Sequence, residues 1–245
     1  MKIAIVSDIH ANPIAFNKVL EDIEKRKCDK LLCLGDYVMA GYDPNAIVEK
    51  LKFLKSNKTP IETELILGNT DLMVLHYSED VFNKVLKSFP SMAYALKSDM
   101  DLISEDSKKF LKDIPQAKTV EIMGLKIFMS HGSPEGIDIG ITPDMKTEEV
   151  IKLTDKANSD IILCGHTHIP CGYQLNNGKT VINDGSVGRP MTKNPDACYA
   201  IIEIGEDKKF KVEHHFIKYD NKFAAQKIRE RKFPECEDLA RMFER

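Results

Sequence analysis

Seven side chains that commonly bind metal ions stand shortly after apolar runs of this sequence. They comprise two aspartates, one asparagine and four histidines: Asp8, His10, Asp36, Asn69, His131, His166 and His168. Their carboxylate, amide and imidazole groups provide mixed oxygen and nitrogen ligation without a thiolate, which suits Mn, Fe, Zn, Ni or Co. Because seven groups exceed the three or four protein ligands of a catalytic zinc, they predict two divalent ions that share a carboxylate.

A dinuclear centre of this kind is typical of hydrolysis at phosphorus. Two ions about 3.5–4 Å apart can hold a bridging hydroxide and stabilise both oxygens of an in-line displacement. They also lower the pKa of the water that they bind from ~15.7 towards 7. The residue types therefore predict an enzyme that hydrolyses a phosphate ester by attack of a metal-bridging hydroxide. They do not sort the ligands between the two ions.

Five short apolar runs directly precede the candidate ligands, and they span residues 3–6, 31–34, 65–67, 127–129 and 161–164. Helical spacing of apolar residues over 12–27 and 43–56 separates the first three runs, which predicts a βαβαβ unit with a parallel sheet. The carboxyl ends of parallel strands form the edge where open α/β sheets bind ligands. We therefore expect the candidate ligands to converge at that edge.

The remainder of the chain predicts a second group of strands, with helices outside. The stretch 72–115 has helical character, is broken at Pro90 and Pro115 and carries no chemical motif, so we interpret it as a helical cap. Hairpins and terminal helices are predicted within 119–130, 172–183, 197–216, 221–231 and 235–245. No linker or repeat interrupts residues 1–245, which predicts a single α/β domain of two mixed sheets packed face to face.

Composition and charge argue against several classes of protein. The 35 Lys and Arg residues against 38 Asp and Glu give a net charge of −3, so no basic excess indicates binding to nucleic acid or to an anionic membrane. The apolar runs fall far short of the ~20 residues of a membrane-spanning helix. The charged run 229–232 contains an acidic residue and is interpreted as a solvated helix face. Six cysteines without a CxxC pair favour a reduced, cytoplasmic setting.

Five longer motifs surround the candidate ligands. They are Asp-Ile-His-Ala-Asn at 8–12, Gly-Asp-Tyr-Val at 35–38, Ser-His-Gly-Ser-Pro at 130–134, Gly-His-Thr-His-Ile-Pro at 165–170 and Asn-Asp-Gly-Ser-Val-Gly at 183–188. Together with Gly68-Asn69, this ordered set resembles the signature of calcineurin-like metallophosphoesterases, in particular their small bacterial and archaeal branch. The resemblance covers residues 1–204 and implies a four-layer α/β/β/α sandwich with two metal ions at its edge.

The resemblance also implies a role for each candidate ligand. One ion would be held by Asp8, His10 and His168, the second by Asn69, His131 and His166, and Asp36 would bridge the two. Among them, we expect Asp36, Asn69 and His131 to act in catalysis. The implied substrate is a small phosphorylated molecule, nucleotides included: a phosphodiester, a phosphomonoester or a dinucleotide polyphosphate. No further partner is implied, and the oligomeric state stays open.

Three further residues are predicted to contact the substrate. Asn12 either reaches a bound phosphate or caps the helix that Pro13 opens. Arg189 either binds a phosphate through two guanidinium nitrogens or is solvated. Thr70 stands where the family often has a histidine that assists the leaving group, and a hydroxyl cannot act as a general acid near neutral pH. We therefore hypothesise a leaving group that needs little protonation, as in nucleotide anhydrides and aryl phosphates.

Two other functions compete with this hydrolase. One is a binding scaffold that keeps the fold without catalysis, as in the resembling retromer subunit. Such a scaffold is expected to lose ligands, whereas all seven candidates are present here. The other is a protein Ser/Thr phosphatase, which the small size of the chain and the missing motif histidine disfavour.

Overall fold

The described part of the chain, residues 1–56 and 58–244 of the computed structural model, contains two five-stranded sheets. In chain order the strands are β1 (Lys2–Val6), β2 (Lys30–Cys33), β3 (Glu62–Leu65), β4 (Ala117–Ile122), β5 (Leu125–Ser130), β6 (Ile161–Cys164), β7 (Cys171–Gln174), β8 (Thr180–Asn183), β9 (Ala197–Ile204) and β10 (Phe210–Ile217). The first sheet has the order β10-β9-β1-β2-β3, and the second has the order β4-β5-β6-β8-β7. Strands β1 to β3 are parallel, as are β5, β6 and β8, while β9 pairs antiparallel with β1 and β10, β4 with β5, and β7 with β8. Both sheets are therefore mixed, as predicted.

Helices flank the two sheets. In the described residues they are α1 (Pro13–Lys25), α2 (Pro44–Lys55), α3 (Asn69–Leu75), α4 (Glu79–Ser88), α5 (Pro90–Leu102), α6 (Glu105–Lys112), α7 (Thr147–Thr154), α8 (Asn221–Glu230) and α9 (Cys236–Phe243). The side chain of Asn12 accepts a hydrogen bond from the backbone N–H of Ala15 and caps α1, and Asp43 caps α2 in the same way. These caps fix where each helix leaves the preceding strand.

Three apolar clusters separate four layers. Alternate residues of β1 point to opposite faces, so Ile3 and Ile5 lie between the two sheets while Ala4 and Val6 face the helices. The inner cluster joins the first pair to residues of β5 and β6. An outer cluster packs α1, α2 and α5 on the first sheet, and another packs α7 on the second. This arrangement confirms the α/β/β/α sandwich.

The helical segment predicted over 72–115 comprises α3 to α6. Its first helix begins earlier than predicted, at Asn69, because the Asp71 carboxylate accepts a hydrogen bond from the backbone N–H of Gly68 and closes the first turn. The division into one domain with a helical cap stays a prediction. Across residues 1–56 and 58–244, no helix is both long enough and apolar enough to cross a membrane.

The C-terminal helices depart from the sequence interpretation at one residue. The run 229–232 was expected to be a solvated face, yet the side chain of Arg231 is only 6% exposed. It lies at the end of α8 and forms an ion pair with buried Asp99 of α5. The pairing spans 132 residues of sequence, so local charge patterning could not reveal it. The last predicted helix ends at Phe243, and Arg245 lies outside the described residues.

Candidate metal centre

The carboxyl ends of the parallel strands bring the candidate ligands together. Asp8 follows β1, Asp36 follows β2, and Asn69 opens α3 just after β3. In the second sheet, His131 directly follows β5 and His166 follows β6. Because the two sheets pack face to face, these strand ends meet at one edge of the sandwich. The sequence expectation of a single convergent edge is met by the geometry.

Two carboxylate oxygens lie among three imidazoles at the centre of this edge. Asp8 Oδ1 is 3.2 Å from His168 Nε2 and 3.8 Å from both His10 Nε2 and His131 Nε2. Asp36 Oδ2 is 3.6 Å from His10 Nε2 and 3.4 Å from His131 Nε2. The ligand atoms form two overlapping groups, each confined within 4.8 Å: Asp8, His10 and His168, and Asp8, Asp36 and His131.

The remaining two candidates stand beside the second group. His166 Nδ1 lies 2.9 Å from Asn69 Oδ1, and the rings of His131 and His166 are 5.3 Å apart. Asn69 and His166 are partly exposed, whereas the other five candidates are buried. The opening to solvent is therefore on the Asn69 and His166 side of the cluster.

Several polar atoms at this edge lack the partners that burial demands. Asp8 Oδ1 and His131 Nε2 are buried and make no hydrogen bond. His10 Nε2 and His168 Nε2 face each other at 3.1 Å beside the same carboxylate. Buried polar atoms without partners cost ~1–3 kcal/mol each. A cation among these atoms removes that cost, so the residues present fit divalent metal ions.

The protonation of the cluster reflects its crowding. Burial opposes ionisation of Asp8, but the neighbouring His168 and His131 bring the pKa of its carboxyl well below the ordinary value. Burial likewise opposes a charge on His131, but Asp36 and Asp8 raise the pKa of its imidazole to about 10. His10 shows the opposite behaviour, since burial and then His168 lower its pKa to about 3. The carboxylates are thus ionised, as metal ligation requires.

Backbone carbonyls orient three of the histidines. The Nδ1 atoms of His10, His131 and His168 lie 3.2, 2.8 and 2.5 Å from the carbonyl oxygens of Met39, Leu34 and Arg189, respectively. A hydrogen bond at Nδ1 fixes the ring so that Nε2 is left for a metal ion. The three Nε2 atoms accordingly all face Asp8 Oδ1.

The backbone of the ligands is itself unusual. Positive φ angles, between 48° and 67°, occur at five of the candidates: Asp8, His10, Asp36, His166 and His168. Such left-handed backbone is uncommon outside glycine and concentrates at functional sites. Two glycines allow the loops to approach one another, since a Cβ atom on Gly68 would collide with the Asp36 carboxylate and one on Gly165 would lie 2.6 Å from Asp8 Oδ2. The chain thus accepts strain where the ligands converge.

Sequence reasoning missed several buried groups that support the ligands. Ser7 Oγ donates to Asp8 Oδ2 at 2.6 Å. Asp71 accepts hydrogen bonds from the backbone N–H groups of Tyr37 and Val38, which follow Asp36. Burial and then Asp36 raise the pKa of the Asp71 carboxyl to about 7. An acidic residue at the third helical position after Gly68 was the signal that could have identified Asp71.

The three predicted substrate contacts occupy different environments. Asn12 caps α1 and donates through Nδ2 to the carbonyl oxygen of Gly188 at 2.9 Å. Thr70 is buried, and its hydroxyl donates to the carbonyl oxygen of Val38 at 3.2 Å. Arg189 is half-buried, its Nη1 lies 2.8 Å from Met92 Sδ on α5, and its charge contributes to the lowered pKa of His10. Their contact with substrate stays a prediction.

Comparisons with other proteins agree with this geometry. The chain is 34% identical over 250 residues to an uncharacterized protein of Methanocaldococcus jannaschii, with 95% of this chain and 94% of that protein covered. Its fold matches the crystal structure of a hypothetical protein from Pyrococcus horikoshii with a TM-score of 0.87 and 22% identity, over 99% and 97% of the two chains. It also matches a metallophosphoesterase from Sphaerobacter thermophilus with a TM-score of 0.76 and 24% identity, over 100% and 98%.

A family assignment follows from the sequence as well. Residues 1–207 match the calcineurin-like phosphoesterase superfamily domain. That span includes every candidate ligand and all but β10 of the strands in the described residues. The family and the clustered Asp and His groups support divalent metal binding and hydrolysis of phosphate esters. The chain belongs to the calcineurin-like phosphoesterase superfamily.

Proposed function

We propose that this protein is a dinuclear, metal-dependent phosphoesterase. The observation that carries the proposal is the position of the Asp36 carboxylate. Its Oδ2 lies 3.6 Å from His10 and 3.4 Å from His131, one histidine from each of the two proposed ligand sets. A carboxylate with a histidine of each proposed set beside it is the arrangement that two cations would share.

The proposed ligand sets are those that the family resemblance implies, and two contacts support them. Asp8, His10 and His168 would hold the first ion, Asn69, His131 and His166 would hold the second, and Asp36 would be shared. Mn, Fe, Ni, Zn and Co all suit these oxygen and nitrogen donors. Asn69 and His166 of the second set are partly exposed, so we propose that substrate enters on their side.

The residues of the chain prepare the site for reaction at phosphorus. Divalent ions held by these residues would supply polarisation of the phosphoryl oxygens and a bound water of lowered pKa. Asp36 fixes the spacing of the two ligand sets, and its other oxygen accepts a hydrogen bond from the backbone N–H of Thr70 at 2.8 Å. Asn69 and His131 line the same side of the cluster and are the further groups that we propose to act in catalysis.

Two residues bear on the substrate. We propose that Arg189, whose charge acts on the first ligand set, binds a substrate phosphate. The Thr70 hydroxyl donates to a backbone carbonyl and does not supply a proton near neutral pH. The proposed substrate is therefore a phosphodiester, phosphomonoester or dinucleotide polyphosphate whose leaving group needs little protonation. Hydrolysis rates for a series of phenyl phosphodiesters should depend steeply on the leaving-group pKa, whereas a flat dependence would contradict this assignment.

The test is restoration of activity by single metals. The protein is stripped of metal, and Mn²⁺, Fe²⁺, Ni²⁺, Zn²⁺ or Mg²⁺ is restored separately. Hydrolysis of bis-p-nitrophenyl phosphate, p-nitrophenyl phosphate and diadenosine tetraphosphate is then followed, with Asp36→Asn as the matched control. Metal-dependent turnover that Asp36→Asn abolishes supports the proposal, and the fastest substrate identifies the class. A wild-type chain that binds no metal overturns it in favour of a binding scaffold.

A further inference from the structure

The loop that follows β2 orients His10, although His10 itself lies in the loop that follows β1. The carbonyl oxygen of Met39 lies 3.2 Å from His10 Nδ1. Met39 and the next residue, Ala40, have φ angles of 68° and 77°. Two successive left-handed residues that are not glycine are strained, so other contacts must hold this loop in place.

Those contacts come from a buried ion pair outside the ligand cluster. Asp99 on α5 accepts a hydrogen bond from the backbone N–H of Met39 through Oδ2 at 2.7 Å. Its Oδ1 accepts a hydrogen bond from Arg231 Nη2, also at 2.7 Å. Arg231 Nη1 donates to the carbonyl oxygen of Gly41 at 2.5 Å. The Asp99–Arg231 pair thus forms hydrogen bonds to the strained loop at Met39 and at Gly41, on either side of Ala40.

Burial makes this arrangement specific. Asp99 is fully buried, and Met39 and His10 are each 1% exposed. Burying a carboxylate and a guanidinium is offset when they pair with each other and form further hydrogen bonds, and of the Arg231 nitrogens both Nη atoms have a partner while Nε has none. Here the further bonds all go to the backbone of one loop. The ion pair is therefore built around residues 39–41 and does more than join α5 to α8.

We propose that Asp99 and Arg231 are positioning residues for the metal centre. They hold the Met39 carbonyl against His10 and so fix the imidazole on the first ligand set. Arg231 lies beyond residues 1–207, the span that matches the family domain. The C-terminal helices therefore contribute to a metal centre whose ligands all lie in that domain. This inference rests on the proposed role of His10 as a ligand.

The test measures Mn²⁺ affinity of the full chain by isothermal titration calorimetry, without reference to turnover. Asp99→Asn can still accept one hydrogen bond but not both, and Arg231→Met removes both donors while keeping an apolar stem. Arg229→Met is the matched control, because Arg229 is in the last turn of α8, two residues before Arg231, and pairs with Glu237 of α9 and with Glu244 directly after that helix. We expect Asp99→Asn and Arg231→Met to weaken Mn²⁺ binding by about 10-fold or more and Arg229→Met to leave it within about twofold.

A second comparison separates positioning from a merely structural role. In a His10→Asn background, adding Asp99→Asn should not weaken Mn²⁺ binding further, because the group it positions is absent. Should Arg231→Met fail to fold, Arg231→Lys, which keeps the charge but only one donor group, should weaken Mn²⁺ binding to an intermediate extent.

Two results would overturn the inference. In the first, wild type binds Mn²⁺, and both Asp99→Asn and the Arg231 variant bind it as tightly as Arg229→Met while only their unfolding temperatures fall. In the second, Asp99→Asn weakens binding equally with and without His10. These results leave the proposed function standing. A wild-type chain that binds no Mn²⁺ overturns the proposed function, and the inference with it.

Discussion

The two ends of the parallel strands β2 and β3 differ in what they bury. At the carboxyl ends, ionised carboxylates and imidazoles meet, and some of their atoms lack hydrogen-bond partners. At the amino ends, α1, α2 and the segments before β2 and β3 line an open cavity of about 870 Å³ with apolar residues such as Leu20, Leu54 and Ile61, and charged residues also line it. The cavity is spacious, yet none of its polar groups is buried without a partner in the described residues. Buried polar atoms without partners, and not cavity volume, distinguish the end that holds the candidate metal ligands.

The largest effect is expected at the polar end. Asp36→Asn should lower phosphoesterase activity by about 1,000-fold, because a neutral amide is a weak substitute for a charge shared by two cations. The matched change at the other end is Phe53→Ser, which removes an exposed aromatic ring from the cavity. Its activity with the same metal and substrate should equal that of wild type. Loss of activity in Phe53→Ser would show that the cavity takes part in the reaction.

The second prediction concerns a substitution at the cavity end, which should change stability and leave metal binding and activity unchanged. Leu54→Ala should lower the free energy of unfolding by about 3 kcal/mol, since Leu54 is 7% exposed and packs in the outer cluster beside the cavity. Its Mn²⁺ affinity and kcat should be unchanged. Urea unfolding of the metal-free chain gives the first quantity, and calorimetry and steady-state kinetics give the others. A parallel fall in affinity would mean that the two ends are energetically coupled.

Metal removal should affect only the polar end. Mn²⁺ at 100 times its Kd should raise the free energy of unfolding by about 2.7 kcal/mol per site relative to a chelated sample. Leu54→Ala should show the same increment, while Asp36→Asn should show a much smaller one. Thermal unfolding of each chain, once with Mn²⁺ and once with EDTA, measures these increments. An increment that is unchanged in Asp36→Asn would remove Asp36 from the ligand set.

The smallest effect is expected at Thr70. Thr70→Val removes the hydrogen bond to the Val38 carbonyl and should cost about 1 kcal/mol of stability, with activity lowered by less than ~5-fold. The steep dependence of rate on leaving-group pKa should persist, because the hydroxyl is not the proton donor. A loss of 100-fold or more on poor leaving groups alone would instead show that this hydroxyl assists departure.

The sequence predicted the candidate metal ligands better than the residues that hold them in position. Short apolar runs just before Asp8, Asp36 and His131 predict buried strands from the local sequence. Parallel pairing then places the carboxyl ends of those strands at one edge of the sandwich. The alternation of strands and helices predicted the parallel sheet, the second group of strands predicted two packed sheets, and the family resemblance implied the four-layer sandwich. The ion pair of Asp99 and Arg231 was not predicted, because neither residue stands in a recognisable motif. The two side chains meet only when the fold brings α5 and the end of α8 together. Long-range ion pairs leave no periodic signal.

The left-handed backbone at the ligands has a consequence for how such a protein drifts under mutation. Glycine, asparagine and aspartate accept this conformation readily, whereas valine and isoleucine do not. A single change of Asp8 or His10 to glycine would therefore remove a proposed ligand without adding backbone strain. The backbone conformation thus permits changes that remove the proposed activity at these positions, whereas β-branched residues there would add backbone strain. Descendants of such a chain can become inactive and remain well folded.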